Sequence, residues 1–151
     1  MRFPPEFNEA EELGNARASG VRRFVAAGVV ASGVKVLMLR RQADDFLPGI
    51  FELPSGQIET GESLTHALCR EVAEETGLSV TEVMDYLGAF DYLSRNGQLT
   101  RQFSFLVKTS DGTVALSEHS EYRWVDLGEL ERINATADTK KIVSDALNRL
   151  R

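Results

Sequence analysis

Apolar positions fall in short extended runs over most of the chain and take a helical period in two places. Val21–Val30, rich in Val and Ala, and Val34–Arg41 (VKVLMLRR) predict two strands, and Ala31-Ser32-Gly33 between them predicts a hairpin turn. A loop over 42–49 holds Asp44, Asp45, Pro48 and Gly49, and Phe51-Glu52-Leu53 reads as a short strand stopped by Pro54. Leu78–Leu93 and Gln98–Lys108 read as extended, with Asn96-Gly97 between them as a strong hairpin signal. Asp111-Gly112 marks a further turn, and Glu121–Val125 a last short strand. A helix is expected from about Ser63 to Thr76, with Ser63 or Glu62 at its start, where an oxygen suits the exposed N–H groups, and Gly77 as its left-handed cap. Asp138–Arg151 closes the chain as an amphipathic helix whose stripe is Ile142, Val143, Ala146, Leu147 and Leu150. The order strands, helix, strands, helix predicts an α/β (α+β) fold, an α/β/α sandwich around a mixed sheet.

Residues 1–20 are polar, with Glu6, Glu9, Glu11 and Glu12, and read as an N-terminal arm or tail with room for a short helix, in which Phe3 and Phe7 are the residues able to dock and loose order is the expectation. Residues 21–151 then form a single domain. With 42% hydrophobic and 26% charged residues the chain has the makings of one buried core. A net charge of −6 and a pI near 5.0 argue against a nucleic-acid polymer as partner but leave small nucleotides open, because a bound metal supplies positive charge locally. Cys69 is the only cysteine, so neither an internal disulfide nor a thiolate zinc cluster can form. No run approaches a membrane span, Met1–Pro5 leads into an acidic stretch unlike a secretion signal, and a cytoplasmic location is expected.

The chemistry concentrates between Gly56 and Leu78, in Gly56-x5-Glu62-x7-Arg70-Glu71-Val72-x-Glu74-Glu75-x-Gly77-Leu78. On a helix at about 100° per residue, Leu64, Ala67, Leu68, Glu71, Glu74 and Glu75 share one arc. The glutamates therefore continue the apolar stripe instead of opposing it, as a solvated face would. Clustered carboxylates repel one another, and a hard divalent cation such as Mg²⁺ resolves the conflict. Arg70 lies one turn before Glu74 and is expected to hold that carboxylate by an i,i+4 pair. Glu62 adds an acid at the loop-to-helix junction, and Ser55-Gly56 and Thr60-Gly61 let the backbone approach a metal or phosphate closely.

This block resembles the Nudix box at every defined position, and with its flanks Phe51-Glu52-Leu53-Pro54 and Glu121-Tyr122-Arg123-Trp124-Val125 the resemblance spans roughly residues 21–151. It implies a Nudix-type α/β/α sandwich that hydrolyses a diphosphate linkage in a nucleoside diphosphate bearing a variable group, using Mg²⁺, with Mn²⁺ able to substitute. By position, Glu71, Glu74 and Glu75 resemble the metal-binding acids, with Glu71 or a neighbouring acid also assisting the attacking water. Arg70 resembles the arginine that orients a catalytic glutamate, and Glu62 the first glutamate of the box, which supports the metal site. Ser55 resembles the backbone carbonyl ligand next to Gly56, and Glu118 is the candidate for a late metal-binding acid, with Glu121 and Asp111 competing. Many relatives dimerise, so a homodimer is open.

Substrate choice lies outside the box. Arg23, Arg40, Arg41 and Arg101 are candidates to meet a leaving phosphate, and Arg40 and Arg41, adjacent on a strand, point to opposite faces. Phe46, Phe90 or Tyr92 could stack on a base, although sheet packing is the expectation for Tyr92 and core packing for Phe103, Phe105 and Trp124. His66 falls on the outer helix face, and Glu118 places His119 near the site, without a pattern that marks it as a catalyst. The expectation is hydrolysis of a nucleoside triphosphate or related nucleoside diphosphate derivative. The alternatives are a diadenosine-polyphosphate or nucleotide-sugar hydrolase and a non-catalytic nucleotide sensor. The absence of proline after Pro54 argues against an ADP-ribose hydrolase.

Overall fold

The computed structural model describes residues 2–45 and 47–151. In chain order the elements are α1 (Glu9–Ala18), β1 (Arg23–Ser32), β2 (Lys35–Arg41), β3 (Phe51–Glu52), β4 (Ser55–Gln57), α2 (Leu64–Thr76), β5 (Val80–Leu93), β6 (Leu99–Thr109), β7 (His119–Val125), α3 (Leu127–Arg132) and α4 (Ala137–Leu150). The main sheet runs β3-β2-β1-β6-β5, with β4 pairing β1 and β7 pairing β2. It is mixed, because β1 runs parallel to β6 while β1 and β2 form the expected antiparallel hairpin, Ala31 opposite Val36.

Period-two alternation divides the strands between two cores. Ala26 and Val30 of β1, Leu37 and Leu39 of β2, and Phe103, Phe105 and Val107 of β6 pack with Leu64, Ala67, Leu68 and Val72 of α2. The intervening Ala27, Val29, Val36, Met38 and Leu106 pack on the other face with Ile142, Val143, Ala146 and Leu147 of α4. This is the expected α/β/α layering. At Gly28 a Cβ would lie 2.8 Å from Val72, so glycine there lets α2 sit close to β1.

The two helices end as their sequences direct. Ser63, not Glu62, is the N-cap of α2, its side chain accepting from the His66 N–H, and Gly77 closes the helix with φ 74°. Two elements differ from expectation. Ser55–Gln57 is a strand, held against Val25–Ala27 of β1, and α3 is an additional short helix with a reciprocal Asp126–Glu129 capping box.

The N-terminal segment is not a loose arm. Asn8 caps α1, Phe7 is 6% exposed, and the Phe3, Phe7, Phe105 and Tyr86 rings pack with centroids 4.6–5.3 Å apart in successive pairs. Glu9 Oε2 accepts from the Leu64 N–H at 3.3 Å, so the segment also supplies an acid to the positive end of α2. Burial of two aromatic rings supplies the free energy that the polar composition of residues 1–20 conceals.

Candidate active site

Helix α2 delivers its acids unequally. Leu64, Ala67, Leu68 and Val72 are buried, and the same face carries Glu75, 6% exposed, with Glu71 beside it. Glu74 is turned further outward than the arc implied: its side chain is 59% exposed at the rim. Glu75 Oε1 accepts from the Ser55 N–H at 2.8 Å, which locks β4 to the last turn of α2. A Cβ at Gly56 would collide with the Glu71 carboxyl group, so this glycine is the space Glu71 occupies.

Arg70 pairs with Glu74 at i,i+4 as expected, but its shorter contacts go elsewhere. Its guanidinium grips Glu62 by two bonds of 2.7 and 2.9 Å, donates to Glu71 Oε1 at 2.6 Å and to the Gln57 carbonyl at 3.1 Å, and reaches Glu74 only at 3.4 Å. Glu62 also accepts from the Glu59 N–H and meets His66 Nδ1. The Arg70 hydrogen bond pulls its carboxyl down to about 2, and the same contact raises Arg70 further. Glu62 is thus an anchor that aims Arg70 at Glu71.

A polar cavity of about 240 Å³ opens beside Glu75, with Glu118, Glu52, His119, Ser55 and Gly56 also in its wall, whereas Glu62, Glu71 and Glu74 are not among its lining residues. Burial pushes the Glu75 carboxyl up to about 8, opposed by the Ser55 N–H and reinforced by the charges of Glu52, Glu71 and Glu118. Burial also raises Glu71, with Arg70 opposing and Glu74 and Glu118 adding to the effect. Among the described residues no three His, Cys, Asp or Glu side chains form a closed metal-ready cluster; Arg70 holds Glu71 and the Ser55 N–H holds Glu75. The donor set still fits a hard cation: Glu52, Glu75 and Glu118 bear on one small polar cavity, where Arg41 offsets only Glu52 and the Ser55 N–H meets one oxygen of Glu75. Of the competing late acids, Glu118 faces this cavity, whereas Glu121 is paired with Arg40 at 2.8 Å and Asp111 is exposed.

Glu52, in the wall, is not among the residues expected at the site, and His119 is expected near it only through its neighbour Glu118. Glu52 lies between the buried Phe51 and Leu53, and alternation alone turns it to the opposite face, where Arg41 and His119 bind it at 2.9 Å each. His119 opens β7 and is buried beneath Glu75. Among the arginines, Arg41 and Arg23 line the cavity, Arg40 points away to Glu121 and Gly49, and Arg101 is forked onto Asp91.

A second, larger cavity of about 510 Å³ adjoins the first and shares Arg23, Arg41, Glu52, Ser55 and Tyr92 with it. Phe90 and Tyr92, ring centroids 6.0 Å apart, form an aromatic wall, so Tyr92 faces a cavity and is not simply sheet packing. Phe103 and Phe105 are core and Trp124 packs against it, as expected, and Phe46 lies outside the described residues. His66 is exposed, yet bonded to Glu62.

The family model of the NUDIX domain matches residues 22–146. The chain is 34% identical over 116 residues to a putative 8-oxo-dGTP diphosphatase 2 of Mycobacterium tuberculosis, covering 76% of this chain and 80% of that one. It is 30% identical over 121 residues to an ADP-ribose pyrophosphatase of Methanocaldococcus jannaschii, covering 78% and 69% respectively. The crystal structure of a MutT protein from Methanosarcina mazei Go1 superposes with a TM-score of 0.71 at 25% identity, over 84% of this chain and 93% of that one.

Proposed function

The chain belongs to the Nudix family, and on that premise we propose that it hydrolyses a phosphoanhydride bond of a nucleoside triphosphate with Mg²⁺ as cofactor. As a member with diphosphatase and pyrophosphatase relatives, it is a pyrophosphohydrolase of nucleoside diphosphate-linked substrates. The finer reading is carried by one observation: the buried Glu75 carboxyl shares a small polar cavity with Glu118 and lies beside Glu71 and the aligned Ser55 and Gly56 backbone.

In this reading Glu71, Glu75, Glu118 and the Ser55 carbonyl hold the cation, and Glu74 joins them from the rim. When bound, Mg²⁺ neutralises the crowded charge of the diphosphate and acidifies the water beside it. Glu71, held by Arg70 and partly desolvated, takes the proton as the water oxygen attacks phosphorus and the bridging P–O bond breaks. Arg23 suits the departing phosphate better than Arg41: its hydrogen bonds go to the neutral Gln57 and Thr100 side chains, while Arg41 is neutralised by Glu52. The adjoining aromatic-walled cavity is the place for the nucleoside. The single cysteine and acidic surface suit the cytoplasm.

The test is phosphate or pyrophosphate release from a panel of nucleoside triphosphates, dinucleoside polyphosphates, ADP-ribose and nucleotide sugars, with Mg²⁺ and with chelator. Release from a triphosphate that requires Mg²⁺ is expected. Tight nucleotide binding without release from any member would make the protein a sensor instead.

A further inference from the structure

We infer that His119 is a positioning residue of this site, its Nδ1 holding a water against the Glu75 carboxyl group. The ring is 5% exposed and fixed at one end, where Nε2 lies 2.9 Å from Glu52 Oε2. Glu52 is itself fixed, its other oxygen accepting from Arg41 at 2.9 Å. Nε2 faces a carboxylate and so donates to it, and Nδ1 is the ring's remaining hydrogen-bonding atom. Among the described residues Nδ1 is the one buried side-chain polar atom with no hydrogen-bond partner, and it lies 3.9 Å from Glu75 Oε2. The second oxygen of Glu75 is already taken by the Ser55 N–H at 2.8 Å.

A gap of 3.9 Å is too long for a direct hydrogen bond and suits one water bonded to both groups. Buried polar side-chain atoms are as a rule hydrogen-bonded, to protein or to ordered water. Arg41, Glu52 and His119 then form a chain that ends in a polar nitrogen beside Glu75. Through the water that nitrogen fixes the orientation of the Glu75 carboxyl group without touching the substrate.

A competing role is purely structural, with the ring present only to anchor Glu52 through Nε2. The two nitrogens can be separated, because asparagine places a polar atom where Nδ1 stands and glutamine places one where Nε2 stands. His119→Asn and His119→Gln are compared with wild type for kcat, KM and thermal midpoint in the nucleotide hydrolysis assay. The expected result is a loss of at least about tenfold in kcat for His119→Gln and a clearly smaller loss for His119→Asn, which keeps a polar atom at Nδ1 but gives up the anchor to Glu52. KM stays unchanged in both, and His119→Gln keeps its midpoint. The reverse order, equal losses, or full activity in both would overturn the role. It rests on the hydrolase reading: a wild type with no turnover on any nucleotide removes both, whereas an active wild type with an unimpaired His119→Gln removes only this role.

Discussion

Replacing Glu75 with glutamine should end turnover and, in the absence of divalent cations, stabilise the fold at neutral pH. The carboxyl group is buried and pushed from the ordinary 4.5 up to about 8. Between those values the folded protein holds a proton that the unfolded chain has released, so stability falls as pH rises through the window. The contribution is fully present below 4.5 and gone above about 8. The limiting slope is about 1.4 kcal/mol per pH unit, and relaxation of the surrounding acids and water entry reduce the total to about 1–3 kcal/mol. The amide keeps an oxygen for the Ser55 N–H and carries no charge, so the variant escapes the loss. Urea unfolding in chelator at pH 5, 6, 7 and 8 measures both proteins. Glu71 is raised in both proteins and its charge is coupled to that of Glu75, so the difference between the two curves reports Glu75 together with this coupling. The variant should become the more stable protein, by about 1–3 kcal/mol, as pH approaches 8. Adding Mg²⁺ should reverse the order, because only wild type gains from the cation. Parallel curves, or a variant less stable at every pH, would refute the reasoning.

Arg70→Lys keeps the charge but loses the fork that binds Glu62 and Glu71 together; it should cost about 1–3 kcal/mol in urea unfolding and at least about tenfold in kcat. Because Arg70 holds the Glu62 carboxyl near 2, that stabilisation is present above 4.5 and lost as pH falls towards 2, and the acid limb of the unfolding curve should flatten in the variant. Gly56→Ala puts a methyl group where the Glu71 carboxyl group lies, and should abolish turnover with a far smaller effect on secondary structure by circular dichroism. Phe7→Ala removes a ring packed on Phe105 and Tyr86, and should cost about 3–5 kcal/mol in chemical denaturation, whereas a loosely ordered arm would give no change.

The strands were legible where a continuous apolar run carries the signal, as in β1, β2 and β6, because burial on both faces of a central strand leaves few polar positions. β4 was hidden because Ser55, Gly56 and Gln57 have no apolar residue, and only their pairing with β1 makes them a strand. The Asp126-x-x-Glu129 spacing was a readable capping box before α3, overlooked because six residues give no helical period. The acids of α2 were found by projection, but an ideal wheel does not show that β4 covers Glu75 while Glu74 stays outside. Glu52 and His119 come together across a β2–β7 register that local spacing does not encode, although two buried neighbours around Glu52 marked it as facing elsewhere. The docking of residues 2–18 depends on an aromatic cluster with β5 and β6, and so is not local either.

The measurement that bears most directly on the central claim is the Mg²⁺-dependent turnover of one nucleoside triphosphate by wild type and by Glu71→Gln, Glu74→Gln and Glu75→Gln, each checked for an intact fold. The account predicts wild-type hydrolysis that stops in chelator, and a loss of at least about a hundredfold for Glu71→Gln and Glu75→Gln. Near-wild-type rates in either of those two folded variants would contradict it.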